Sequence, residues 1–296
     1  MTEAPQLQRL LALAEAALAR LDAALPAPLP APDWSAAVAF RWRKRDGRGW
    51  FQAVRHPHPI RLDDLETIDD QKERVVANTR QFVAGKTANN VLLTGARGSG
   101  KSSLVKAVLN EFAGDGLRLI EVDKEDLIDL PDIVDLLDGR PERFIIFCDD
   151  LSFEAGETAY KALKSVLDGS IAAPPDNVLI YATSNRRHLM PEYFSENLET
   201  HTVNDEIRPG ETTEEKVSLS DRFGLWISFY PFSQDDYLAV FQHWARELGV
   251  SAAVIAASER EALNWSLGRG SRSGRVAWQF AKDLAGRQSN KGKKHK

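Results

Sequence analysis

The amino-acid sequence predicts an α/β protein in which a mostly parallel sheet is followed by a smaller helical domain. Between residues 90 and 229, short apolar segments alternate with segments of helical periodicity. Such alternation is typical of parallel strands joined by helices that cover both faces of a sheet. Residues 233–286 show helical periodicity and no strand signal. A chain of 296 residues, at roughly 150 residues per domain, has room for both units.

The composition excludes several other classes of protein. Hydrophobic residues make up 43% of the chain and charged residues 27%, which rules out disorder throughout. No apolar run approaches the roughly 20 residues that span a bilayer, and the N-terminus lacks a signal-peptide pattern. One cysteine cannot form an internal disulfide, so a reducing compartment, the cytoplasm, is expected. The formal net charge of -5 argues against a surface that coats nucleic acid.

The first predicted element is an amphipathic helix over residues 6–25. Four prolines between residues 26 and 32 end it and form a stiff linker. The helix either docks on the rest of the protein or binds a partner, and both alternatives stay open. Its apolar residues recur at helical spacing, at Leu7, Leu10, Leu13, Ala14 and Leu18.

Residues 38–54 are predicted to form two strands that are rich in basic and aromatic residues. Phe40 and Trp42 alternate with Arg41 and Arg43, and an Asp-Gly pair marks the turn between the strands. Alternation places the aromatic and the basic side chains on opposite faces. The first alternative is that the aromatic residues pack on the core beneath a solvated basic face. Contact with a protein comes second, and stacking on unpaired bases comes third.

The order of the remaining elements sets the predicted domain boundaries. Core strands are predicted at residues 91–94, 117–122, 144–148, 178–183 and 225–229. Helices are predicted at residues 101–112, 125–137, 157–167, 234–248, 252–267 and 275–285. The predicted parts are the N-terminal helix, linker and hairpin (1–58), the nucleotide-binding core (59–230), a helical lid (231–287) and a basic disordered tail (288–296).

A glycine-rich loop joins the first of these strands to the first helix. Glycines let backbone N–H groups curl around phosphate oxygens, and the helix N-terminus adds partial positive charge. Lys101 is expected to reach the β- and γ-phosphates of a nucleotide, and the Ser102 hydroxyl is expected to bind Mg²⁺. The loop matches G-x-x-x-x-G-K-[ST] in full, with Gly95, Ala96, Arg97, Gly98, Ser99, Gly100, Lys101 and Ser102, followed by Ser103.

Two carboxylates directly follow the apolar strand at residues 144–148. Asp149 is expected to bind the same Mg²⁺ ion as Ser102. Asp150 is expected to orient and polarise the water that attacks the γ-phosphate, and Glu154 is its rival for this catalytic role. Cys148, the last residue of the strand, is expected to be a packed core thiol.

Three residues further along the chain are candidates to complete the site. Asn185 follows the strand at 178–183, where its amide could bond the γ-phosphate or the attacking water; a turn or cap is the alternative. Arg222 precedes the strand at 225–229 and is a candidate arginine finger, with an exposed ion pair as the alternative. Arg275 opens the last helix and could lean over the nucleotide, with Arg272 as the runner-up, or it is an ordinary surface arginine.

Four runs of sequence together resemble AAA+ P-loop ATPases, and most closely a bacterial family of predicted AAA+ ATPases of undefined cellular role. The runs are GARGSGKSS from Gly95, FCDDLSFE from Phe147, ATSNRRHL from Ala182 and SLSDRFGL from Ser218. The resemblance covers about residues 59–286. It implies a three-layer fold, with a five-stranded parallel sheet between helices and a C-terminal helical lid domain. The N-terminal helix and hairpin form an extension outside it.

The resemblance also implies a role for each candidate residue. Residues 60–68 resemble the segment that packs on adenine in such proteins. Most of these proteins have Glu where Asp150 stands, one methylene longer, so slow hydrolysis is expected. The implied roles are Walker A for Lys101 and Ser102, Walker B for Asp149, first sensor for Asn185, finger for Arg222 and second sensor for Arg275.

These observations predict an enzyme that hydrolyses ATP with Mg²⁺. The first hypothesis is a homo-oligomeric ring, with a hexamer as the candidate size, that hydrolyses ATP at subunit interfaces to remodel or load a macromolecular partner. A protein client is favoured over nucleic acid, and no membrane is expected. The alternative is a nucleotide-dependent switch or loader that acts on nucleic acid with little turnover. A metabolic P-loop kinase is disfavoured because it needs neither a helical lid nor an interface arginine.

Overall fold

The fold is an α/β sheet with a helical domain after it. The computed structural model describes residues 3–24, 29, 31–153, 157–169, 175–186, 189, 201–203, 206–208 and 219–292. The main strands are β1 (Ala39–Arg45), β2 (Arg48–Ala53), β3 (Val91–Gly95), β4 (Leu117–Glu121), β5 (Arg143–Cys148) and β6 (Val178–Ser184). Further strands are β7 (His201–Val203), β8 (Glu206–Arg208) and β9 (Leu225–Phe229).

Helices account for much of the remaining described chain. Short 3₁₀ segments lie at Leu62–Asp64, Ala113–Asp115 and Lys124–Asp129. The α-helices are α1 (Glu3–Ala24), α2 (Asp69–Val83), α3 (Lys101–Phe112), α4 (Leu130–Leu137), α5 (Thr158–Asp168), α6 (Gln234–Glu247), α7 (Ala252–Gly268) and α8 (Gly274–Gly292).

The main sheet has the strand order β2-β1-β4-β5-β6-β3-β9 in the described chain. The five strands from β4 to β9 in this order are parallel, which confirms the predicted parallel core. Phosphate-loop strand β3 lies between β6 and β9. Because parallel strands end at the same edge, the residues after β3, β5 and β6 are brought together there.

The N-terminal hairpin extends this sheet, which the sequence does not predict. Strand β1 pairs in parallel with β4, and β2 pairs antiparallel with β1. The sheet therefore has two strands more than the five that the resemblance implies. Ion pairs also join the hairpin to the end of β4, between Arg41 and Glu121 (2.6 Å), and to the 3₁₀ segment that follows β4, between Lys44 and Asp129 (2.9 Å).

Three of the four aromatic residues of the hairpin pack into the core, in agreement with the first alternative for this segment. Phe40, Trp42 and Phe51 are buried and contact the ring of Trp34 or one another. The indole N–H of Trp42 donates to Asp129 over 3.0 Å. A buried ring cannot stack on a base, so in this structure these three side chains do not support single-strand binding.

Two hydrophobic clusters lie on the two faces of the sheet. Strand alternation divides β3 between them: Leu92 packs into one cluster, and Val91 and Leu93 pack into the other. The first cluster includes α4 and α5, and the second includes α2 and α3. Helices on both faces give the predicted three-layer arrangement. A third cluster forms the core of the helical domain, between α6, α7 and α8.

Three helical segments need comparison with their predicted form. Residues 125–137 were expected to be largely helical, with Pro131 as an entry or break, and they divide into a 3₁₀ segment and α4, because Pro131 lacks the N–H that a helix interior requires and fits the first turn of α4. Helix α8 continues to Gly292, beyond the predicted lid boundary at 287. Along α1, the five leucines Leu7, Leu10, Leu11, Leu13 and Leu18 are 55–65% exposed. Its binding of a partner stays a prediction.

Within the described part of the chain, no helix combines the length and apolar character that a bilayer span requires.

Candidate functional site

The phosphate loop lies between the end of β3 and the start of α3, at the carboxyl edge of the sheet. Its three glycines have positive φ, at 126° for Gly95, 75° for Gly98 and 103° for Gly100. At Gly95 a side chain has no room, because a Cβ would lie 1.9 Å from the carbonyl oxygen of Phe229 in β9. The loop therefore depends on glycine for both its backbone and its packing.

Lys101 is buried at the start of α3, and its ammonium group donates hydrogen bonds to acceptors in and beside the loop. Its Nζ donates to the carbonyl oxygens of Gly95 and Ala96, at 2.8 Å each, and to Oδ1 of Asn185 at 3.1 Å. Burial lowers the pKa of Lys101, while the nearby Asp149 and Asp150 act to raise it. Asn185 is thus adjacent to the phosphate loop, where the sequence places it.

Asp149 accepts hydrogen bonds from two hydroxyl groups on different elements. Ser102 Oγ of α3 and Thr183 Oγ1 of β6 each donate to its Oδ1 over 2.6 Å. Carboxylate and hydroxyl oxygens are the hard ligands that Mg²⁺ prefers, so this donor set fits the ion. Thr183 is a member that the sequence analysis missed, although it lies two residues before Asn185. The described residues contain no further cluster of His, Cys, Asp and Glu that could hold a metal.

Asp150 adopts a backbone conformation that explains the residue type at this position. Its φ is 53°, in the left-handed region, which Asp and Asn adopt more readily than longer side chains. Its amide donates to Thr183 Oγ1 over 2.9 Å, and its Oδ1 accepts from Asn185 Nδ2 over 2.5 Å. Asp150 is therefore held beside Lys101. The rival candidate, Glu154, lies outside the described residues.

The helical domain covers the loop and forms a cleft of about 560 Å³ with it. The amide of Gly274, at the start of α8, donates to the carbonyl oxygen of Gly98 over 2.9 Å. Arg275, the next residue, lines the cleft together with Asp149, Asp150 and Asn185. The structure thus brings Arg275 to the site, as the sequence analysis proposed. A cleft of this size accommodates a nucleotide.

Arg222 lies away from this cleft. Its Nε donates to Oδ1 of Asp168, the last residue of α5, and its side chain is 23% exposed. Arg222 is not among the residues that line the cleft of its own chain. An ion pair is therefore present at Arg222, with a partner that is distant in sequence, and the finger role stays a prediction.

The cleft also has apolar and aromatic lining residues, which the sequence analysis identified only in part. Ile60 and Ile68 line it, as the resemblance implies for residues 60–68. Trp244 of α6 and Trp278 of α8 also line it and were missed. Helical periodicity could not find them, because a tryptophan on a lid helix is indistinguishable in sequence from one in the lid core.

Cys148 is fully buried at the end of β5, and burial raises its pKa to about 12. A thiol of such high pKa is protonated and unreactive at neutral pH, so it has no part in the chemistry of the site. The expected role of Cys148 as a packed core thiol agrees with this environment.

This arrangement is the AAA+ fold of P-loop NTPases. Two solved structures share that fold with TM-scores of 0.50: Aeropyrum pernix Orc1 in complex with DNA, and a lysine-to-arginine mutant of Thermotoga maritima RuvB. Each is 16% identical to the chain, and the matches cover 77% and 76% of it. They span 65% and 64% of those proteins, less than two thirds of their length.

The chain belongs to the family described as "Protein of unknown function (DUF815)", whose model matches residues 35–288. This match includes the hairpin, the sheet and the lid, and it begins after α1 and the proline-rich linker. A comparison with curated proteins finds no match.

Proposed function

We propose that the protein binds ATP with Mg²⁺ and hydrolyses it slowly at interfaces between copies of the chain, in order to remodel or load a protein partner. The observation that carries this proposal is the convergence of Lys101, Ser102, Asp149 and Asn185 on the phosphate loop. Hydrogen bonds of 2.6–3.1 Å connect these side chains from three separate elements.

In this proposal each residue acts through its present position. Lys101 exchanges its bonds to loop carbonyls for bonds to the β- and γ-phosphates, which compensates its buried charge. Ser102 and Asp149 hold Mg²⁺, which neutralises charge on the phosphates. Asn185 connects the lysine to Asp150, so it is placed to hold the attacking water where Asp150 can polarise it.

The lid and a second copy of the chain supply the remaining cations. Arg275 reaches the cleft from α8 and is proposed to sense the γ-phosphate. Arg222 is proposed to serve the site of a neighbouring copy, because it lies outside its own cleft. Such an arrangement requires a homo-oligomer, with the ring as the simplest closed form.

The alternative, a switch or loader on nucleic acid, has weaker support. One of the two similar structures is a complex of Orc1 with DNA, and the other is a RuvB mutant. At 16% identity, the likeness of each to this chain extends to the fold alone. Phe40, Trp42 and Phe51 of the hairpin are buried, and Arg41, Arg43 and Lys44 pair with acidic residues. Single-strand DNA and RNA anisotropy across a salt series tests this alternative. Micromolar binding with a steep salt slope would favour it over a protein client.

Calorimetric titration with Mg·ATP tests the proposed function. Lys101→Ala should weaken binding by at least about 100-fold, because it removes a charge-assisted contact from two phosphates. Lys161→Ala, at an exposed position of α5, is the matched control and should bind ATP like the wild-type protein. Equal ATP affinity in the Lys101→Ala variant would overturn the assignment.

A further inference from the structure

A second cleft, of about 520 Å³, lies between the phosphate loop and the turn that joins α7 to α8. Arg97 of the loop and Arg272 of the turn line it, and both residues are exposed. Within the described part of the chain, neither guanidinium group makes an ion pair, and no acidic residue lines this cleft. The second cleft therefore carries positive charge that the described residues do not balance.

The second cleft also has an apolar part. Leu267, in the last turn of α7, lines it and is 67% exposed, and Pro231 and Phe232 line it as well. Arginine and aromatic side chains are enriched where proteins contact one another, whereas a site for free phosphate needs no apolar surface. The composition of this cleft therefore fits an acidic protein segment that also carries apolar side chains.

An acidic patch with this composition lies between β4 and β5, over residues 125–138. It includes Ile128 and Leu136, which are 50% and 57% exposed. Leu136 is four residues from Asp132 in α4, so these two exposed residues share one face of the helix. Four exposed carboxylates of the patch make no ion pair with the described residues: Glu125, Asp132, Asp135 and Asp138.

The acidic patch and the second cleft lie on different parts of the chain. Strand β4, which leads into the patch, is three positions from phosphate-loop strand β3 in the order of the sheet. At about 4.8 Å per strand, this is a separation of roughly 14 Å. Two different surfaces that fit each other give a head-to-tail contact between copies, which closes into a ring or extends into a filament.

We infer that the acidic patch of one copy of the chain occupies the second cleft of the next copy. Its carboxylates lie against Arg97 and Arg272, and its apolar side chains lie against Leu267. This inference rests on the proposed function and names the surfaces through which the copies assemble. Opposite charges steer the two surfaces together and fix their register, and burial of the apolar side chains stabilises the contact.

This contact agrees with the proposed role of Arg222. Arg222 bonds to Asp168 of α5, and the adjacent Phe223 packs into the hydrophobic cluster that includes α4 and α5. Arg222 and the acidic patch therefore belong to the same face of the sheet. The second cleft and the nucleotide cleft share Arg97 and Ser99 of the phosphate loop. A neighbour whose second cleft holds the patch thus has its nucleotide cleft beside the face that carries Arg222.

Sedimentation velocity of the full-length protein with Mg·ATP tests the contact. The wild-type protein should assemble, and added salt should weaken assembly because part of the contact is electrostatic. Asp135→Arg and Arg272→Glu should each weaken self-association by about 10-fold or more, since each places like charges opposite one another. A double variant with both changes should recover most of the association, because opposite charges face each other again.

Two matched controls make the same charge changes outside both surfaces. Arg246→Glu on α6 and Glu111→Arg on α3 change exposed residues and should assemble like the wild-type protein. Calorimetry with Mg·ATP shows whether the nucleotide site is intact in a variant that does not assemble. Asp135 lies outside the nucleotide cleft, so Asp135→Arg should still bind ATP.

Three outcomes would overturn the inference. Wild-type protein that binds ATP but stays monomeric would leave the second cleft to an acidic segment of a different protein. Assembly that neither single variant weakens would place the interface on other surfaces. A double variant as weak as the single variants would show that the two surfaces do not face each other. Wild-type protein that assembles through these surfaces without binding ATP would instead overturn the proposed function and leave the contact intact.

Discussion

The amide of Gly274 donates a hydrogen bond to the carbonyl oxygen of Gly98 over 2.9 Å, and this contact joins the lid directly to the phosphate loop. Ser273 is buried at the same point, and its Oγ accepts from the amide of Val276, which caps α8. The second glycine of the loop therefore has two roles, one toward phosphate and one toward the lid.

We predict that Gly98→Ala loosens the lid. An added Cβ would lie 2.7 Å from the Cβ of Ser273, and the backbone φ of 75° is unfavourable for alanine. Overpacking of this kind costs about 1–3 kcal/mol, so the variant should show faster limited proteolysis of residues 231–292. Gly249→Ala is the matched control, since it shares a φ of 78° but has open space around it. Equal cleavage of both variants would show that the backbone alone, and not the lid contact, is responsible.

Asp150→Asn should abolish most turnover while preserving the fold and ATP binding. Asn tolerates the left-handed φ of 53°, and its side-chain oxygen can still accept from Asn185. Removing the carboxylate should lower the rate of phosphate release by about 10²-fold or more, as for a lost general base. Asp150→Glu should instead lose stability, because glutamate is less tolerant of this backbone conformation. If Asp150→Asn hydrolyses ATP normally, the catalytic carboxylate is another residue, with Glu154 as the next candidate.

Arg222→Ala should lose most turnover while ATP affinity stays unchanged. A finger supplied by a second subunit contributes about 10³–10⁵ in rate where it has been measured. Mixing Arg222→Ala with Asp150→Asn should restore some phosphate release, because mixed interfaces combine an intact finger with an intact carboxylate. Asp168→Ala breaks the same ion pair but keeps the arginine, so it is the control. Equal loss of turnover in Asp168→Ala and Arg222→Ala would assign the arginine a structural role.

Tyr181→Phe should make stability less sensitive to alkaline pH. Burial raises the pKa of Tyr181 in β6 to about 12, although hydrogen bonds with Thr79 and Asn78 oppose this shift. The unfolded chain releases the phenolic proton first, near pH 10. The contribution of Tyr181 to the free energy of unfolding is therefore complete below pH 10 and is lost as the pH rises toward 12.

Urea unfolding between pH 8 and pH 11 measures this effect. Between pH 8 and pH 11, the free energy of unfolding of the wild-type protein should fall by about 1.4 kcal/mol more than that of Tyr181→Phe. At neutral pH the variant should be less stable by about 1–3 kcal/mol, because Thr79 and Asn78 lose their partner. Tyr230→Phe, at a tyrosine that is 74% exposed, should follow the wild-type curve. Parallel curves for Tyr181→Phe and the wild-type protein would contradict the prediction.

The phosphate-loop side of the cleft was predictable from the sequence, whereas its apolar lining was predictable only in part. A glycine loop and carboxylates at strand ends are local patterns whose geometry follows from parallel strands, so Lys101, Asp149 and Asn185 were found. The contact of Gly274 with Gly98 and the position of Trp278 depend on how the lid packs, and no local pattern records that packing. The hairpin shows the same limit: alternation predicted two strands and a buried aromatic face, but not their pairing with β4.

The burial of Cys148 makes it a built-in reporter of how often the sheet opens. It is the only cysteine in the chain, and it sits one residue before Asp149 in the centre of the sheet. A thiol-specific reagent can react only with molecules in which β5 has come away from its neighbours, so the labelling rate measures that rare event directly. Nucleotides that bind the folded form make this opening less frequent. A slower labelling rate would therefore report the binding of each candidate ligand, with no added reporter group.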